Sequence, residues 1–97
     1  MNLSNLFRNR MPNASELVQF AESQGWMLSQ IPTGPRKYID ENGIVRVTIK
    51  RGSPRAPGSN FPHVELRNAH AQRIDPFGNP VTRKSPANHT PIVWDLS

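Results

Sequence analysis

The stretch RKYIDENGIVRVTIK, residues 36–50, restricts what this chain can become more than any other. Two β-prone runs meet at Asn42-Gly43, a pair suited to the positive φ angles of a tight hairpin turn. Pairing across that turn puts Tyr38, Val45, Val47 and Ile49 on one face and Lys37, Arg46, Thr48 and Lys50 on the other. One face is apolar and needs a cover; the other is cationic and wet.

The cover is legible upstream. Asn13 or Ser15 can cap a helix, Glu16 favours its first turn, and Leu17, Phe20 and Ala21 recur at three- and four-residue spacing before Gly25 stops the run. This predicts a helix over 13–24, with Trp26 anchoring its exit to the core. Residues 1–12 read as a lead-in, either loose or a short helical turn, and residues 13–97 as one domain.

Downstream, IPTGP at 31–35 is a loop, and RGSPRAPGSN at 51–60 is a flexible basic loop that suits a lid or a backbone-tracking arm. HVELRN at 63–68 reads as a third strand. A fourth starts near Arg73 after a turn at 69–72, DPFGNP at 75–80 is another turn, and Ile92 to Leu96 reads as a last strand. No internal repeat is present. The predicted class is α+β: an N-terminal helix packed on a small twisted antiparallel sheet of about four strands.

Composition narrows function by exclusion. The chain has no cysteine, which removes disulfides, zinc-thiolate sites and cysteine nucleophiles. No apolar run approaches the roughly 18 residues of a membrane span, and MNLSNLFRNR lacks a signal peptide's apolar core, so no membrane association is expected. The expected site of action is cytoplasmic. No Walker or Rossmann glycine loop and no serine elbow occurs. Twelve Lys and Arg against seven Asp and Glu give a net charge of +5, which favours polyanions and nucleic acid first among them. The same excess also serves as a solubility device.

FPHVELRNAH, residues 61–70, concentrates the chemistry. Read with a period of two, it places His63, Glu65 and Arg67 on one side and Val64 and Leu66 on the other. Metal-free RNA cleavage needs a group that takes the ribose 2′-hydroxyl proton, one that protonates the departing 5′-oxygen, and cations for the phosphorane between them. The chain's three histidines, His63, His70 and His89, are the side chains that ordinarily titrate near neutrality. We assign His63 and His89 to the base and acid roles in either order. Arg46, Lys50 and Arg67 hold the phosphate, and Glu65 orients a base or replaces one. Lys37, Lys50, Arg51, Arg55 and Lys84 are the candidate RNA-binding cations. Cross-strand charge pairing on an ordinary solvated face uses the same residues.

A metal site built from His63, His70, Asp75 and His89 would suit an HNH-like nuclease, but their spacing fits no ligand template, and no metal or other cofactor is expected. Stacking platforms for single-strand binding are few: Tyr38 beside Lys37, and Phe61 and Phe77 in loops, with Trp26 and Trp94 read as core.

The strings GPRKYIDENGIVRVTIKRGSP, PHVELRN, HAQRIDPFGNPV and NHTPI resemble the C-terminal toxin modules of bacterial polymorphic toxins. The layout over about residues 25 to 96 is similar to the barnase and colicin-type ribonuclease superfamily. The resemblance implies that 13–97 is a nuclease-like domain: a metal-independent ribonuclease, with tRNA among its targets, delivered as the C-terminal part of a larger secreted toxin and neutralised by an acidic immunity protein or antitoxin. It supplies no site residue; those above come from this sequence. The alternative is a non-catalytic basic module that binds nucleic acid or a partner, and a third reading is a DNA-cutting nuclease dependent on divalent metal. Ala71 and Ala87 occupy turn positions where glycine is the easier residue.

Overall fold

The computed structural model describes residues 2–53 and 60–96. Along these the chain runs α1 (Leu3–Phe7), α2 (Ala14–Ser23), β1 (Met27–Ser29), β2 (Arg36–Ile39), β3 (Val45–Lys50), β4 (His63–Arg67), β5 (Arg73–Ile74), a 3₁₀ turn (Pro86–Asn88) and β6 (Thr90–Pro91). The class is α+β, and every strand pairing is antiparallel. The strands follow the order β1-β2-β3-β4, and the free edge of β4 is shared by β5 at one end and β6 at the other.

The alternation expected in the hairpin holds for Tyr38, Val47 and Ile49 and fails at Val45 and Arg46. Tyr38, Val47 and Ile49, joined by Val64 and Leu66 from β4, are buried against Leu17, Phe20 and Ala21 of α2. Lys37 pairs with Thr48 on the opposite face. Burying such side chains contributes about 1.5–3 kcal/mol each, which selects this register over a one-residue slip. A bulge between Tyr38 and Ile39 shifts the register at the turn, so Val45 is half-buried beside Lys37 and Thr48 while Arg46 turns to the Trp26 side.

That turn differs from the tight Asn42-Gly43 hairpin expected. Asp40 N donates to Ile44 O at 2.9 Å, and Asp40 Oδ1 accepts from Asn42 N (2.9 Å) and Ile44 N (3.0 Å). Of the two central residues only Gly43 has a positive φ, +79°. A carboxylate satisfying two turn amides makes the wider loop the better solution. The same device recurs at 68–72 and 75–79. There Asn68 Oδ1 and Asp75 Oδ1 each accept two turn amides, and the left-handed position falls on Ala71 (φ +64°) and Gly78 (φ +89°). Ala71 therefore does stand where glycine is easier. Ala87 sits in the 3₁₀ turn and shows no positive φ.

Of the remaining elements, two are extended and one is corrected. Of the two readings of the lead-in, the short helical turn is found as α1, and it buries Leu6 and Phe7. Among the described residues the sheet has six strands: the four expected between Arg36 and Ile74 are joined by the short strands β1 and β6, which carry no apolar alternation to betray them. Ile92 to Leu96 does not form a strand. Its backbone instead serves the N-terminus of α2, whose first amides lack helical partners: Ala14 N donates to Val93 O (2.8 Å), and Asp95 accepts from Ser15 N (2.8 Å) and the Ser15 hydroxyl. Glu16 Oε1 accepts from Asn13 N at 2.9 Å, closing the cap that Asn13 begins. In the loop at 51–60, residues 54–59 lie outside the described residues. Among the described residues no helix is long and apolar enough to cross a membrane.

Candidate active site

The polar face of β4 is the floor of the site. Its pairing with β3 sets Lys50 opposite His63 and Thr48 opposite Glu65, so the Lys50 side chain reaches diagonally to the carboxylate, with Nζ 2.7 Å from Glu65 Oε2. On the other edge β6 pairs Pro91 with His63 and Thr90 with Val64, which delivers the preceding residue, His89, to the same place. The two imidazoles meet edge to face with ring centroids 5.0 Å apart.

His63 is only 1% exposed. Its Nδ1 lies 2.9 Å from Phe61 O and its Nε2 lies 3.2 Å from Glu65 Oε2. Both ring nitrogens face acceptor oxygens, and the tautomer sets which of the two bonds the ring donates. His89 is more open, with one fifth of its side chain exposed, and its Nδ1 stands 3.8 Å from Glu65 Oε2. That nitrogen is buried and has no hydrogen-bond partner among the described residues.

Glu65 therefore gathers three nitrogens around one oxygen, while Arg73 Nη1 approaches the other oxygen at 3.6 Å. Burial works against its charge. Hydrogen bonds from His63 and Lys50, with the attraction of both, outweigh that burial and hold the carboxyl at about 2. One ligand-capable atom each from His63, Glu65 and His89 lies within 4.8 Å of the others. His70 and Asp75, the other members of the metal set considered from sequence, are not part of this group; His70 is exposed in the 68–72 turn.

Two concavities meet along Lys50 and Glu65. The larger, roughly 750 Å³, runs between the 30–35 loop and the end of β3, with His63, His89 and Trp94 in its wall. The smaller, roughly 240 Å³, is walled by Lys37, Lys50, Arg67, Arg73 and Arg83, and Glu65 is its one acid. A polyanion crossing from one to the other would pass directly over the cluster.

The structure thus brings together His63, Glu65, His89 and Lys50, with Arg67 and Lys37 alongside in the basic groove. Arg51 lies over the Trp94 ring at 5.0 Å and lines the larger groove. Arg46 is not brought in. It sits at the opposite end of β3, over the Trp26 ring at 4.5 Å, with Nε donating to Arg67 O (3.0 Å) and Nη1 3.4 Å from Asp40 Oδ2. Lys84 is exposed and lines neither groove, and Arg55 lies outside the described residues.

Sequence reasoning missed Arg73 and Arg83. Carrying the strand pairing across the 68–72 turn would have found Arg73, which stands opposite Arg67; Arg83 carries no local signal. Trp94, read as core, packs against it but also walls the larger groove. No protein-family model matches the chain, and no curated protein matches it.

Proposed function

We propose that this chain is an endoribonuclease that cleaves RNA by transesterification without a metal ion. The observation that carries the reading is the sharing of one Glu65 oxygen by Lys50 (2.7 Å), His63 (3.2 Å) and His89 (3.8 Å) on the floor of a basic groove. Against its burial, His63 and Lys50 hold the carboxyl at about 2, too weak a base while the cations Lys50 and Arg73 stand against it. An RNA phosphate entering the groove draws those cations to itself and leaves the carboxylate on His63, a stronger base that takes the 2′-hydroxyl proton. The ribose oxygen attacks phosphorus, the bond from phosphorus to the 5′-oxygen breaks, and His89, the accessible imidazole, protonates the leaving oxygen. The product end is a 2′,3′-cyclic phosphate.

Lys50, Arg67 and Arg73 stabilise the charge that builds on the phosphorane. His63, sealed from solvent, is cast as a positioning residue that holds Glu65 Oε2. This departs from the equal sharing of roles by two histidines expected from sequence. Transfer RNA is the first substrate class to test, and the basic groove suits coverage by an acidic immunity protein or antitoxin. In this reading the domain acts in a target cell's cytoplasm as the C-terminal part of a larger secreted toxin.

The test is incubation of the purified protein with total tRNA in EDTA. The wild type cleaves, and His89→Ala is slower by about 10²–10⁴-fold. Intact RNA at high protein, indistinguishable between the two proteins, ends the proposal. The cation-walled groove also supports the second reading, a non-catalytic basic binding module. Binding then survives joint replacement of His63, His70 and His89 and falls steeply with salt.

A further inference from the structure

The cluster has a property that acid-base chemistry does not use. His63 Nδ1 is bonded to Phe61 O, an arrangement that in metal sites fixes the tautomer and turns the opposite nitrogen toward the ion. The ring is sealed and edge-packed on both Phe61 (5.6 Å) and His89 (5.0 Å), so Nε2 keeps its aim. His89 Nδ1, buried and without a hydrogen bond among the described residues, faces the same carboxylate oxygen. Ligands about 2 Å from a tetrahedral zinc ion lie roughly 3.3 Å from one another. The distances from Glu65 Oε2 to the two imidazole nitrogens, 3.2 and 3.8 Å, bracket that spacing.

We infer that His63 Nε2, His89 Nδ1 and the Glu65 carboxylate form a site for one divalent transition-metal ion of the zinc class, and that the ion silences RNA cleavage by occupying the groups the reaction needs. Two imidazole nitrogens and one carboxylate favour zinc over magnesium or calcium, which prefer all-oxygen shells. The Lys50 ammonium, 2.7 Å from the shared oxygen, opposes the ion and must move aside. It therefore sets the affinity from inside the site. The inhibition rests on the proposed ribonuclease reading; the binding of metal does not.

Calorimetric titration of the metal-free protein with zinc chloride alone, paired with cleavage of tRNA in EDTA and in added zinc, tests both halves. We expect one ion per chain, affinity lowered about tenfold or more in His89→Ala and in Glu65→Gln, and cleavage that falls with occupancy and returns with EDTA. Because those two variants disturb the cluster, Lys50→Met supplies the opposite prediction: zinc binds more tightly once the competing ammonium is gone. Absence of zinc binding, or binding unchanged in all three variants, overturns the inference, while EDTA-resistant cleavage would still support the ribonuclease reading. Zinc binding that stimulates cleavage overturns the inhibition. Zinc binding in a protein that cleaves no RNA under any condition supports the site and removes the ribonuclease reading instead.

Discussion

Glu65 holds the candidate site together, because its two oxygens are the meeting point for Lys50, Arg73 and both imidazoles. Replacing it with glutamine keeps the shape and removes the charge. Glu65→Gln is expected to lower cleavage by about 10²–10⁴-fold while the circular dichroism spectrum stays unchanged. The carboxyl is lowered from its ordinary 4.5 to about 2, so its contribution to stability is complete above 4.5 and is lost as pH falls towards 2. Wild type should thus exceed the variant in urea resistance at neutral pH, by about 1–2 kcal/mol in a groove open to water. The gap should close between pH 4.5 and 2, and a gap independent of pH would contradict this. The juxtaposition of His63 and Glu65 was legible from the period of two in HVELR. That of His89 was not, because it depends on two residues of β6 pairing with a strand more than twenty positions earlier.

At the scale of elements, the three carboxylate- or amide-capped turns make a natural comparison. Gly43 and Gly78 take the left-handed position in two of them, and Ala71 takes it in the third at φ +64°. A β-carbon there costs about 1 kcal/mol, so Ala71→Gly should stabilise the protein by roughly 0.5–1 kcal/mol in urea unfolding; destabilisation would contradict the account. Gly52 presents the opposite case. A β-carbon at its position would lie 2.5 Å from Phe61 O and 2.7 Å from Phe61 C, the carbonyl group that anchors His63. Gly52→Ala should therefore cost about 1–3 kcal/mol and also lower cleavage by the folded fraction, as a displaced Phe61 lets the imidazole turn. The faces of β2, β3 and β4 and the helix over residues 14–23 were readable because burial imposes periods of 2 and 3.6 on long enough runs. β1 and α1 were not, since one is fully exposed and the other is a five-residue turn of helix whose burial depends on contacts elsewhere.

Across the whole molecule, the two ends of the chain support one helix. Asp95 accepts from the Ser15 amide and hydroxyl across 80 positions, and Val93 pairs with Asn13. These hydrogen bonds hold the Asp95 carboxyl below its ordinary range. Its stabilisation is thus present above that range and lost as pH falls through it and below. Asp95→Ala should lower the melting temperature at neutral pH, with the difference shrinking in acid, because the α2 N-terminus loses its distal cap. The same C-terminal segment carries His89 and Ile92, one into the groove and the other into the core, so the site and the fold share a single tether. A net charge of +5, with five cations and one acid lining the smaller groove among the described residues, makes that side of the molecule strongly basic.

The most direct test of the central claim is the chemistry of the cut end. A short RNA, and the same strand with a single 2′-deoxy substitution, are incubated with the protein in EDTA and the products weighed by mass spectrometry. The account predicts a 2′,3′-cyclic phosphate on the upstream fragment and no cut at the deoxy position. Cleavage at the deoxy position, or cleavage that appears only when a divalent metal is added, would contradict it.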